Sequence, residues 1–174
     1  MNKFLACLAI VLALAMTMTS CKKDEEEGDS ENNRLKFTNA MMQNQTSFTW
    51  EGREVAMVKN EGEKKERYSV LRFDRATTQS TSGLGRLVAF TNSFKNTFVE
   101  SSAFRWYFMN DCMYIEWEYP GWRPAHAEYR TGEIVIDGNG FHGTWFENTS
   151  YSWVFGYIPS TFNEWDRYPA TSNQ

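Results

Sequence analysis

The chain has 174 residues, with 22 acidic against 18 basic side chains and a formal net charge of −4. Apart from Lys64-Lys65 with Arg67 it carries no Lys/Arg-dense stripe, so the electrostatic footprint of a nucleic-acid binder is missing. Three cysteines and two histidines leave little material for metal or thiol chemistry, whereas seven tryptophans, eight tyrosines and thirteen phenylalanines point to an aromatic-rich core.

Residues 1–20 start with Lys3 close to the N-terminus, run apolar from Phe4 to Met16 and end in Met18-Thr19-Ser20. A short basic start, roughly a dozen apolar residues and small residues before a cut site make a secretory signal peptide, too short for a stable membrane span. The Thr19-Ser20-Cys21 ending resembles a bacterial lipobox. That resemblance implies cleavage before Cys21 and acylation of its thiol and new amine; the alternative is a simple secretory cut near Thr19. Residues 22–33 are charged and almost devoid of apolar side chains, so residues 21–36 are expected to be an acylated Cys and a disordered acidic tether. A Cys followed by Lys and an acidic run also resembles the surface-export signal of lipoproteins in the Bacteroidota, which implies the outer face of the outer membrane; a plain spacer facing the periplasm is the alternative. Each buried methylene of an acyl chain contributes about 0.8 kcal/mol, enough for two or three chains to anchor a protein without a spanning segment. Processing of this kind removes Cys7 and uses Cys21, so the mature protein is expected to hold Cys112 alone, with no intrachain disulfide.

One domain, residues 37–158, and a C-terminal tail, 159–174, make up the rest. Residues 39–43 suffice for one helical turn, and thereafter alternation of apolar and polar residues assigns strands. Residues 46–50 and 54–59 read as strands around Glu51-Gly52-Arg53, and the charged stretch 60–67 as a solvated loop. Residues 68–74 and 84–91 form a pair joined by the polar loop 75–83, while 96–100 are too few to assign alone. In 103–119, Phe104, Trp106 and Phe108 share a face, Met109-Asn110-Asp111-Cys112 supplies turn chemistry, and Met113, Ile115 and Trp117 resume the apolar face. The pattern predicts a tight antiparallel hairpin. A second hairpin joins 133–136 to 141–147 through Asp137-Gly138-Asn139-Gly140, whose residues tolerate the positive φ of short loops. Tyr151, Trp153, Phe155 and Tyr157 alternate in a last strand. The expected fold is all-β, a small antiparallel up-and-down barrel of about eight strands, which removes exposed edges and holds either packed side chains or one small ligand.

The lipobox and tether, Leu71-Arg72-Phe73-Asp74, Phe104-Arg105-Trp106 with its partner Tyr114-Ile115-Glu116-Trp117, and Gly140-Phe141-His142-Gly143-Thr144-Trp145 together resemble the lipocalin-like, calycin-type lipoproteins of the Bacteroidota, over roughly residues 46–158. The Gly-x-Trp of true lipocalins is missing around Phe48 and Trp50. The resemblance implies a fold and a cellular address more than an activity.

No catalytic motif stands out. His126 and His142 lack a third ligand at zinc spacing, and Cys112 beside a hairpin turn reads as structural before nucleophilic. Glu116 and Glu118 share a strand face and invite a glycosidase reading, but a wet face with Arg105 as cross-strand partner explains them more simply. Binding readings do better. Trp122, between Pro120 and Pro124, is either an outward recognition platform or a plug over one barrel mouth. Trp106, Trp117, Trp145 and Trp153 are core candidates first and pocket-lining second. Trp165 and Tyr168 in the tail leave open whether it packs outside the barrel or stays loose.

The expectation is a non-enzymatic, outer-membrane-anchored lipoprotein facing the exterior, held through Cys21, without cofactor or metal, and binding a small apolar ligand. Its candidate ligand-binding residues are Phe104, Trp106, Ile115, Trp117, Trp122, Trp145 and Trp153. The alternative is a surface glycan- or protein-binding module that uses exposed aromatics and holds nothing inside.

Overall fold

The computed structural model describes residues 27–58, 65–110, 112–118, 123–128, 134–137, 139–148 and 151–170; the expected signal peptide, Cys21 and Trp122 lie outside them. A helix α1, Glu27–Met41, precedes strands β1 (Ser47–Val58), β2 (Lys65–Asp74), β3 (Ser82–Phe90), β4 (Phe98–Met109) and β5 (Cys112–Trp117). Strands β6 (Arg123–Glu128), β7 (Val135–Asp137), β8 (Gly140–Asn148) and β9 (Tyr151–Pro159) follow, and a short 3₁₀ helix, Trp165–Arg167, ends the described chain.

All strand pairs are antiparallel, in the order β6-β5-β4-β3-β2-β1-β9-β8-β7, so the last long strand returns to lie beside the first. The three-residue β7 pairs only with β8, and the other eight strands run up and down and curl through 230° into a half-barrel. Among the described residues one bridge, His126 to Phe146, joins β6 to β8 across the remaining gap. The expected eight-stranded meander is therefore present, as a curled sheet rather than a fully laddered barrel.

Period-two alternation decides which side chains enter the curl. Trp50, Leu71, Phe73, Phe104, Trp106 and Phe141 face inward and are fully or almost fully buried. Their rings meet edge to face: Phe73 lies 5.3 Å from Phe104 and 6.0 Å from Trp106. Each such side chain contributes about 1.5–3 kcal/mol on burial, before any geometric gain between rings.

Several local differences from the sequence expectation have physical causes. Helix α1 exceeds the single turn expected at 39–43 and reaches back into the stretch expected as tether. What holds it is tertiary: Met41 and Met42 are buried, Phe37 meets Phe108 edge-on at 5.7 Å, and the Trp50 indole N–H donates to the Met41 carbonyl at 2.9 Å. Gln43 and Asn44, both at positive φ, then turn the chain into β1. The two strands expected around Gly52 are one continuous β1, because Gly52 is a packing glycine and not a turn: a Cβ there would enter the Gly156 carbonyl on β9. Arg123 and Pro124, expected in a loop, open β6, which pairs Pro124 with Glu116 at the end of the sheet where a proline is tolerated. Residues 65–67 of the expected charged loop belong to β2.

The tail packs outside. Trp165 lies buried against Val70, Val88 and Phe90 on the outer face, flanked by Phe162 and Tyr168. Arg86 donates to the Trp165 carbonyl at 3.0 Å and to that of Tyr168, and Ser101 also donates to Tyr168 at 3.0 Å.

The contrast between Gly52 on β1 and Gly156, one register position away on β9, is testable. Gly52→Ala is expected to cost about 3 kcal/mol, the upper end for overpacking, whereas Gly156→Ala, which meets nothing within 4 Å, should be close to neutral. Urea denaturation of the two variants checks this; equal stabilities would show that β1 and β9 do not approach as closely as described.

Candidate functional site

Away from α1, the inner face changes from aromatic to ionic. Alternation along β1 points Glu54 inward after Trp50 and Gly52, and the register sets it opposite Arg67 on β2 and Phe155 on β9. Its side chain is only 2% exposed, and a buried carboxylate without partners would be costly. Three donors answer it: the Arg67 Nε, the Tyr157 hydroxyl, and the Ser69 hydroxyl at 2.8 Å. Arg67 also donates through Nη1 to Glu100 on β4, and its guanidinium lies 4.3 Å over the Trp153 ring.

The electrostatics follow from this geometry. Burial alone would lower the Arg67 pKa, but the carboxylates of Glu54 and Glu100 outweigh it and hold the guanidinium above its ordinary value. Burial, and after it the charge of Glu54, pushes the Tyr157 phenol well above its usual range, so Tyr157 stays a donor at any physiological pH. The Trp145 N–H lies close enough to lower the Tyr157 pKa slightly, yet makes no hydrogen bond of good geometry.

The structure divides the sequence-derived ligand candidates into groups. Phe104, Trp106, Ile115 and Trp145 are at most 3% exposed. All four pack within the buried core. Trp106 also donates to the carbonyls of Leu84, at 3.1 Å, and Asp74, at 3.2 Å. Trp117 and Trp153 are only partly buried against the same core, Trp117 meeting Phe104 at 5.0 Å. Trp122, in the connection between β5 and β6, lies outside the described residues.

Glu116 is the cross-strand partner of Arg105, as its register implied, and also accepts from Tyr107 at 2.6 Å. The Tyr107 hydrogen bond leads the interactions that hold its pKa below the ordinary value, against partial burial. Cys112 is buried and disulfide-bonded in the 174-residue chain, whose other cysteines, Cys7 and Cys21, lie outside the described residues. Among the described residues no group of three His, Cys, Asp or Glu is placed to hold a metal ion.

Sequence reasoning missed Arg67, Glu54, Glu100 and Tyr157 as a group. One signal was available: Arg67 continues the inward alternation of Ser69, Leu71 and Phe73, and an inward cation demands an anion from a neighbouring strand.

Arg67→Met, which strands the buried Glu54 charge, is expected to cost about 3–5 kcal/mol. Glu100→Gln, at a side chain 45% exposed, should cost less than about 1 kcal/mol, both read from denaturant midpoints. Tyr157 has a raised folded pKa, so its contribution is complete below the ordinary value of 10.0 and is lost as pH rises from there through the folded value. Tyr157→Phe should therefore flatten the alkaline fall in stability while costing about 1–3 kcal/mol at neutral pH; an unchanged alkaline limb would show the phenol to be less enclosed than described.

Compared with protein-family models, with curated proteins and with solved structures, the chain matches none. The likeness to lipocalin-like proteins thus stands on architecture, an all-antiparallel curled sheet compatible with that fold.

Proposed function

We propose that the chain is an acylated lipoprotein of the outer membrane, anchored through Cys21 and facing the exterior, whose half-barrel binds a small, mainly apolar molecule. The address rests on the signal-like residues 1–20, the lipobox-like Thr19-Ser20-Cys21 and the acidic stretch behind it. No helix among the described residues is long and apolar enough to cross a membrane; in this reading acyl chains on Cys21 supply the attachment.

The observation that carries the binding reading is the contrast along the inner face. Toward α1 the rings pack against one another, while at the other end Trp117, Trp153, Arg67 and Glu100 keep their side chains partly open beside the buried Glu54. An apolar body can lie against Trp117 and Trp153. Its polar end is best a hydrogen-bond donor, because the cluster sets two carboxylates against one guanidinium and Glu100 uses one oxygen on Arg67. The protein acts here by binding and holding, with no reacting group assigned.

Two experiments test the parts separately. A detergent-free form beginning at Lys22 should carry a non-covalent adduct in native mass spectrometry, lost on denaturation and diminished in Trp153→Ala; a clean mass after exposure to a lipid extract speaks against the ligand. For the anchor, a shared sulfur makes the outcome sharp, since an acylated Cys21 thiol cannot also bridge to Cys112. The processed protein should incorporate labelled palmitate and show Cys112 as a thiol that alkylates only on unfolding, consistent with its burial. A Cys112 that stays oxidised in the processed protein, or an unlabelled Cys21, removes the anchor.

A further inference from the structure

The outer face carries a separate cleft of about 500 Å³, formed where the C-terminal tail passes the turn between β3 and β4. Glu51, Lys95 and the buried Phe90 line it together with Phe94, Phe162 and Asn163. Its volume falls within the range of small-molecule sites, but its lining is mainly polar, which decides the ligand class.

Two carboxylates and two cations meet in the lining, paired as Glu51 with Lys95 at 2.7 Å and Glu164 with Arg167 at 3.1 Å, so no net charge is left for an ionic ligand. Burial would raise the Glu51 pKa, but donation from Lys95, Ser160 and Tyr68 holds it below its ordinary value and keeps the pair ionised. By contrast, the side chains of Thr161 and Asn163 make no hydrogen bond to the described residues, and an aliphatic ligand would desolvate them without return.

The wall is equally specific. Phe94 is 85% exposed, although it sits in an ordered turn: its N–H donates to the Asn92 side chain at 3.1 Å, and Lys95 adopts a positive φ of 55° to bring its ammonium onto Glu51. Such a backbone is disfavoured for lysine, and here the Lys95 N–H closes the turn on the Asn92 carbonyl at 3.1 Å. The result is an aromatic face held in water beside unpaired amide and hydroxyl groups.

We propose that this cleft binds a neutral saccharide, its C–H face on Phe94 and its hydroxyls on Asn163 and Thr161. The site lies on the opposite face of the sheet from Trp153 and stands independently of the inner-face reading.

Saturation-transfer difference NMR on the full-length protein in detergent tests it, with the methyl glycosides of glucose, galactose, mannose and N-acetylglucosamine as probes. Ring protons of at least one sugar should receive saturation, with affinity reduced about tenfold in Phe94→Ala and unchanged in Trp153→Ala. Because Phe94 is so exposed, its truncation leaves the core intact, and Asn163→Ala provides a second variant expected to weaken the same signal. Absence of transfer to every probe, or transfer that survives Phe94→Ala but vanishes in Trp153→Ala, overturns the proposal.

Discussion

The buried carboxylate of Glu54 is the constraint around which the sheet closes. One charge inside an aromatic curl is stable only if donors arrive from the neighbouring strands, and they do: Arg67 and Ser69 from β2, Tyr157 from β9. Through Arg67 the same network reaches Glu100 on β4. The first and last long strands are thus joined by more than backbone pairing, and the choice of β9 as the partner of β1 becomes chemically specific. Hydrophobic burial supplies most of the stability, but aromatic rings alone tolerate sliding; a carboxylate with three donors does not.

The same network divides the inner face by chemistry. Near α1 the helix end and the rings of Phe73, Trp106 and Phe141 pack into a buried core. At the other end the rings pack around the ionic groups, Phe155 stacking on Trp145 at 4.8 Å and on Tyr157 at 4.9 Å, while the guanidinium and carboxylates keep their donors and acceptors. Trp153 illustrates the compromise: one ring supports the Arg67 cation while the residue stays only partly buried. A fold that needed nothing but stability would gain from apolar residues at Glu54 and Arg67, since replacing a buried ion pair by packed hydrophobes is often neutral or favourable.

What could be read from the sequence was what is local. The hairpin of β4 and β5 was legible because alternation and a two-residue turn coincide, with Asn110 at positive φ between Met109 and Cys112. The hairpin at Asp137 and Gly140 was legible for the same reason. What escaped depends on residues far apart. Gly52 has the chemistry of a turn but answers to Gly156, more than a hundred residues away. The β6 sequence Arg-Pro-Ala-His-Ala-Glu lacks a run of large apolar residues, so its strand character comes from its pairing with β5. Helix α1 has no apolar stripe of its own and is held by what its last turn touches. The ionic cluster was hidden more deeply: Arg67 sits among charged residues that look like a solvated loop, and only the register shows that it points inward.

The outer face follows the opposite logic, and the tail explains why. Val70, Val88 and Phe90 form an apolar strip that a closed meander would leave in water. Covering it costs the ordering of the tail, and Trp165 offsets that cost with its burial, while Arg86 and Ser101 fix the tail backbone in place. Arg72 and Arg86 stand over the Trp165 ring at 5.1 and 5.6 Å, so the polar side chains of β2 and β3 frame the apolar strip instead of interrupting it. Docking also creates relief: where Phe162 and Tyr168 approach the β3–β4 turn, the sheet surface becomes a cleft. Shape on the outside is therefore made by the tail and shape on the inside by Glu54, and the sheet itself only separates the two.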